Sequence, residues 1–295
     1  MIFSKEKMIL GHAGAIYACA TIDGLVYTGS TDKHVTRWLV NEGVQDKFAI
    51  KFESAIYSIE LVGANFLVVG LSSGSLHVFD LAAGKEIKHY TQHKGAIFSI
   101  TWNEIKSQLI VGDRDGNLSI WNSETFDLLI YIPLGAGKLR DVSVSSDGSQ
   151  FAVGCQDGNI RIFDCNYFNE LKTISAHTGG VTSVLFHPIN NDQLISGGKD
   201  AHLKLWDLTS ETVLKDIPAH NYAIYSLLSI NDGQTIVSAS RDKTIKIWSS
   251  DLDFLERLDV KEGGHKHSVN EVKKLDEQRF VSVSDDKQVI IWSAS

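Results

Sequence analysis

An all-β chain built from seven like sheets is the fold this sequence predicts, and three observations predict it. First, segments ending in an aromatic residue recur in register: STDKHVTRW, LSSGSLHVF, DRDGNLSIW, CQDGNIRIF, GKDAHLKLW, SRDKTIKIW and SDDKQVIIW. They close on Trp38, Phe79, Trp121, Phe163, Trp206, Trp248 and Trp292, at spacings of 41, 42, 42, 43, 42 and 44 residues, so little of the 295-residue chain lies outside the repeat. Second, apolar and polar residues alternate ahead of each aromatic, the period of two that marks a half-buried strand. Third, turn residues separate the runs at hairpin distances.

Within a unit, the first run is a strand of the type AIYSLLSI or AIFSITW, and the second is TIVSAS or QLIVGD. The third ends on the aromatic, as in TIKIW or NLSIW, and a weaker fourth follows, as in FDLLIYI or TVLKDI. Asp23-Gly24, Asp147-Gly148 and Asp232-Gly233 join the first two runs, while Asp115-Gly116 and Asp157-Gly158 join the second and third. Asp-Gly suits tight hairpins because glycine takes positive φ without a Cβ clash. Four antiparallel strands per unit, repeated radially, make a β-propeller blade. The expectation is a single seven-bladed β-propeller domain over residues 1–295.

The units resemble WD40 repeats. Trp206-Asp207 is the namesake dipeptide, Gly11-His12 and Gly264-His265 give the upstream Gly-His pair, and Phe79-Asp80 and Phe163-Asp164 are variants. The residue after the aromatic departs from the pattern as Leu39, Asn122, Ser249 and Ser293. The resemblance covers essentially the whole chain. It implies that the N-terminal strand, Ile2–Leu10, completes the last blade beside KQVIIW and closes the ring.

His, Ser and Asp recur by register, which decides between a catalytic triad and a structural brace. Histidine lies four residues before the first strand at His12, His93, His177, His220 and His265. Aspartate lies six before the aromatic at Asp32, Asp115, Asp157, Asp200, Asp242 and Asp286, and serine eight before it at Ser30, Ser240 and Ser284. The full sets are His12/Ser30/Asp32/Trp38, His220/Ser240/Asp242/Trp248 and His265/Ser284/Asp286/Trp292. Glue internal to a repeat has to recur with it, whereas a catalytic centre does not. Indole N–H donates, while hydroxyl and imidazole both donate and accept, so a chain from Trp through Ser and His to Asp satisfies every group. The second unit, with Phe52, Leu71, Ser73 and Phe79, and the fourth, with Gly135, Cys155 and Phe163, are expected to lack the brace and to rely on apolar packing.

The resemblance also implies a ligand surface on the narrow face, at three positions per blade around the channel mouth. The first set, after the leading apolar residue, reads Tyr17, Tyr57, Phe98, Arg140, Thr182, Tyr225 and Asn270. The position before that residue holds mostly alanine, with Lys138 as the exception in charge, and the third contributes Arg114, Lys199 and Arg241. The expected partner-binding set is Tyr17, Tyr57, Phe98, Arg114, Lys138, Arg140, Lys199, Tyr225 and Arg241. Aromatics and arginine are enriched in binding hot spots, and arginine forks suit carboxylates. Two readings stand together: a groove for an acidic or apolar peptide, or rings that plug the channel.

Composition limits the rest. Hydrophobic residues make up 43% and charged residues 22%, as in an ordinary globular protein, and the net charge of −8 opposes broad nucleic-acid or anionic-lipid binding. No uncharged apolar run is long enough to span a bilayer, and MIFSKEKMIL lacks the apolar core of a signal peptide. Cys19, Cys155 and Cys165 show no CxxC spacing, so neither disulfides nor a zinc cage is expected. His265 and His267 lack a third ligand, and His34, His77 and His202 read as exposed repeat residues. GAGKLRD lacks the P-loop pattern. No cofactor, metal site or catalytic constellation is expected. The functional expectation is a noncatalytic, cytoplasmic protein–protein interaction scaffold, monomeric outside a complex. The alternatives are a small-ligand-binding or enzymatic propeller using the channel and, behind it, a nucleic-acid binder.

Overall fold

In the computed structural model, which describes residues 2–294, strand follows strand along the chain, and Val260–Glu262 forms one short turn of 3-10 helix. The strands make seven four-stranded sheets. Six use consecutive strands, as in Ile16–Ile22, Leu25–Ser30, His34–Leu39 and Val44–Lys51 of blade 1. These neighbours pair antiparallel throughout. Their first hairpin is fixed locally: Asp23 and Gly24 take φ of 47° and 75°, the two positive values of a type I′ turn.

The seventh sheet breaks the order. Phe3–Leu10 lies outside Gln288–Ala294 and runs antiparallel to it, with Phe3 opposite Ala294 and Leu10 opposite Gln288. The expected ring closure is therefore present, with the strand beginning at Phe3. Phe3 anchors it: the ring packs edge-on against Phe280 at 5.4 Å, and its N–H donates to the Glu256 carboxylate at 2.8 Å across to blade 6.

The core lies between blades rather than within one. The position nine before the aromatic is Gly29, Gly70, Gly112, Gly154 or Gly197 in the first five units. Each lets the leading apolar residue of the next blade seat against bare backbone; a Cβ on Gly197 would stand 2.8 Å from Ile224. Ile56, Ile97, Leu139, Val181 and Ile224, the residues so seated, are fully buried. Blade edges thus interlock without side-chain volume on one partner. The outer strands, by contrast, alternate exposed and half-buried, as along Val44–Lys51.

Candidate functional site

Every inner strand breaks register at its second residue. The shifts fall between Ile16 and Ala18, Ile56 and Ser58, Ile97 and Ser99, Leu139 and Asp141, Val181 and Ser183, Ile224 and Ser226, and Val269 and Glu271. The residues skipped are Tyr17, Tyr57, Phe98, Arg140, Thr182, Tyr225 and Asn270, the first of the sequence-derived sets. A bulge re-aims the side chain it leaves unpaired. Here all seven line a central cavity of about 980 Å³.

On one side of the mouth the rings form an arc. Tyr17 and Tyr57 lie 5.0 Å apart and Tyr57 and Phe98 5.5 Å apart, centroid to centroid. The Arg140 guanidinium caps the arc 4.5 Å above the Phe98 ring. Arg114, Lys138 and Tyr225 also line the cavity, but Lys199 and Arg241 do not. Arg241 instead lies over the exposed Tyr222 ring at 5.7 Å. Positive charge gathers here: Arg140, burial, Arg114 and Lys199 together push the Lys138 ammonium below its ordinary value. Among the described residues none of these basic side chains has a carboxylate partner within ion-pair distance. The other end of the arc is acidic: Asp285, beside Tyr17, accepts from the Asn270 amide at 2.8 Å.

Deeper in the channel the polar groups are occupied with one another. The Asp141 carboxylate accepts the Val184 N–H of the next blade at 3.0 Å, and Glu271 accepts the Cys19 N–H. Hydroxyls do the same, Ser58 donating to the Ile97 carbonyl and Ser143 accepting from Phe186 N–H. Burial pushes the Asp141 carboxyl up to about 7 and raises Glu60 and Glu271. Burial also opposes charge on Lys273, but Glu271, with an oxygen 3.5 Å away, and Glu60 outweigh it and keep the ammonium charged.

The recurring polar sets form relays, with one systematic correction. In blade 6 the Trp248 indole donates to Ser238 Oγ at 2.9 Å, Ser238 meets His220 Nε2 at 2.8 Å, and His220 Nδ1 meets Asp242 at 3.0 Å. The hydroxyl is Ser238, ten residues before the aromatic, and not Ser240. Blade 7 repeats this with Ser282 between Trp292 and His265, and blade 1 with Thr28 between Trp38 and His12. Ser30, Ser240 and Ser284 instead cap the following turn by accepting the N–H of Asp32, Asp242 and Asp286. Positions eight and ten before the aromatic share a strand face, and only the deeper one reaches the imidazole.

Two further relays escaped the register rule. His177 joins Asp200 and Ser196, with Trp206 donating to Ser196. In blade 3 Asp113, not Asp115, meets His93 at 2.8 Å, and Ser119 on the third strand supplies the hydroxyl. Carboxylate and hydroxyl have both moved, and the relay survives. All five histidines are buried, as are Ser196, Ser238 and Ser282. A nucleophile closed off in this way meets no substrate.

Blades 2 and 4 lack the relay. Phe52 packs edge-on to Phe79 at 5.6 Å, and Phe151 stacks on Phe163 at 5.0 Å. The cysteines are buried and free, with the Cys155 and Cys165 thiols pushed up to about 11 by burial. His77 is not exposed as expected: it is 5% accessible, whereas the His34 and His202 side chains are partly open. No helix among the described residues is long and apolar enough to cross a membrane.

Comparison with known proteins agrees with this geometry. The family model described as WD domain, G-beta repeat matches residues 84–122, 133–164, 168–207 and 211–249. The guanine nucleotide-binding protein subunit beta of Zea mays is 28% identical over 208 residues, covering 66% of this chain and 54% of that protein. Protein tipD of Dictyostelium discoideum is 26% identical over an alignment of 318 positions, covering 99% of this chain and 50% of that protein. The nuclear distribution protein nudF of Aspergillus niger is 32% identical over 127 residues, covering 42% of this chain and 28% of that protein. The chain thus spans about half or less of the length of these curated relatives. Seven relay-or-ring blades, a clasped ring and four matched repeats together place this chain in the WD40-repeat family.

Proposed function

We propose that this propeller is a noncatalytic scaffold that receives an acidic segment of a partner protein at the channel mouth. One observation carries the reading: half-buried Tyr17, Tyr57, Phe98 and Tyr225 stand beside Arg114, Lys138 and Arg140, basic groups without acidic partners. Aromatic rings offer wide contact area at low entropic cost. Guanidinium groups without partners leave charge-assisted bonds to be made by an incoming carboxylate. Among the relatives, the guanine nucleotide-binding protein subunit beta is by its name one part of a larger assembly, consistent with a platform. The deeper channel favours a small ligand less, because its carboxylates already serve the inner strands and Lys273. The same face extends outward to Lys199 and Arg241, which would contact the flanks of a bound segment.

The test is selection from a displayed peptide library on the full chain, followed by titration of the recovered peptides. Sequences rich in Asp or Glu next to an apolar residue are expected. Tyr57→Ala/Tyr225→Ala and Arg114→Ala/Arg140→Ala should each weaken binding at least tenfold, the second pair removing most of the salt dependence. Recovered partners that bind both double variants as tightly as the native chain would overturn the proposal.

A further inference from the structure

Blade 2 holds a histidine whose chemistry neither the relay nor the channel mouth uses. His77 sits two residues before Phe79, where blade 3 carries the relay hydroxyl Ser119. The loop position that holds the relay histidine in five other blades is Phe52, whose ring packs 5.1 Å from His77. The hydroxyl position ten before the aromatic is Val69. The imidazole therefore stands on the third strand, in a blade with no hydroxyl at the relay position ten before the aromatic.

Its surroundings are specific. Glu86 on the outer strand accepts from Nδ1 at 2.6 Å, which fixes the ring and leaves the Nε2 lone pair facing outward from that bond. Nε2 is buried and has no hydrogen-bond partner among the described residues. Two ligand-type groups stand close: a Glu53 oxygen 3.7 Å away and the His89 ring, cross-strand from His77 and stacked on it at 4.3 Å. One donor atom from each of Glu53, His77 and His89 lies within 4.8 Å of the others. Ser73 holds the same Glu53 oxygen by a hydrogen bond of 3.4 Å.

We infer that Glu53, His77 and His89 form a binding site for a divalent zinc-like cation, with water as the fourth ligand. Two imidazoles and a carboxylate are a common donor set for such ions, with bonds of about 2.0–2.2 Å and tetrahedral geometry. Donor atoms in such a tetrahedron stand about 3.4 Å apart, so the set has to contract and the stacked rings have to tilt. Two partners have room to turn, since Glu53 and His89 are both exposed, while His77 stays fixed by Glu86. That arrangement is the carboxylate–histidine–metal series in which an outer carboxylate orients the ligating ring. A buried imidazole nitrogen left unpaired costs stability, and a cation removes that cost.

Calorimetric titration of the metal-stripped full chain with ZnCl2, and visible absorption with CoCl2, test the site. One equivalent should bind, with a tetrahedral cobalt spectrum and affinity that falls as pH drops through the imidazole range, since protons compete for the same lone pairs. His89→Ala and Glu53→Gln change exposed side chains, so folding should persist, as circular dichroism will verify. Each should lower zinc affinity at least tenfold, and Glu86→Gln should lower it less. Absence of saturable binding, or zinc affinity unchanged in both His89→Ala and Glu53→Gln, overturns the inference.

Discussion

At the scale of the residue, the difference between Ser238 and Ser240 shows what the repeat conserves physically. Both lie on one strand, two apart, with side chains on the same face. Ser238 sits between an indole and an imidazole and has no substitute there. Ser240 donates to the Tyr222 and Ala223 carbonyls and accepts the Asp242 N–H at the turn. Ser238→Ala leaves two buried groups, Trp248 Nε1 and His220 Nε2, without partners, at about 1–3 kcal/mol each. Urea denaturation should therefore show a loss of about 2–6 kcal/mol for Ser238→Ala and about 1 kcal/mol for Ser240→Ala. Equal losses would contradict the relay. The sequence made the relay legible as a register of His, Asp and Trp, but period-two geometry leaves the hydroxyl ambiguous between two same-face positions. Blade 3 was obscure for a related reason: Asp113 and Ser119 changed places in the pattern while keeping their places in space. His77 was obscure because nothing in LHVF reveals that Phe52 closes over it.

At the scale of the element, two strands carry the architecture. The inner strand was legible from its repeat, while the mouth set came from the WD40 resemblance; the structure adds that the residue after the leading apolar one is the bulged residue in every blade. Its bulge was not legible, since no glycine or proline marks it. The edge strand Phe3–Leu10 is the other. Its removal would bare Gln288–Ala294, where Val289, Ile290, Ile291 and Trp292 are now buried, and an apolar edge with free N–H and C=O groups recruits other chains. Phe3 and Ile9 are each 2% exposed, and burying two such side chains contributes about 3–6 kcal/mol. That is a large part of the 5–15 kcal/mol typical of a whole domain. Deletion of residues 1–10 should lower the melting temperature by well over 5 °C and shift the protein into aggregates on size exclusion. A monodisperse truncated protein with an unchanged melting curve would show that the ring does not depend on its clasp.

At the scale of the whole molecule, five relays distributed around one ring make stability a collective function of pH. In Asp32, Asp113, Asp200, Asp242 and Asp286 burial raises the carboxyl, but the bond from histidine and neighbouring N–H groups outweighs it, so each titrates below its ordinary value. The unfolded chain then takes up these protons before the folded one as acid is added. Their stabilisation is complete above the ordinary carboxylate pKa of about 4 and is lost as pH falls through the folded values. His12 and His220 are lowered by burial against the pull of their aspartates. The unfolded chain protonates them first, so their contribution begins to fall below about pH 6.5. The channel carboxyls act in the opposite sense: Asp141, raised to about 7, and Glu60 and Glu271, also raised by burial, favour the folded state at low pH and lose that advantage as pH rises. Two relay histidines and five relay aspartates set against three channel carboxyls should leave acid lability dominant. Melting temperature should be highest near neutrality, decline from about pH 6.5, and drop steeply below about 4. Asp141→Asn should steepen the decline between pH 7 and 4, because it removes an opposing group, and His220→Gln/Asp242→Asn should make it shallower while lowering the neutral value. A native chain with no steep fall in melting temperature below about pH 4 would mean that the buried relays do not couple protonation to folding.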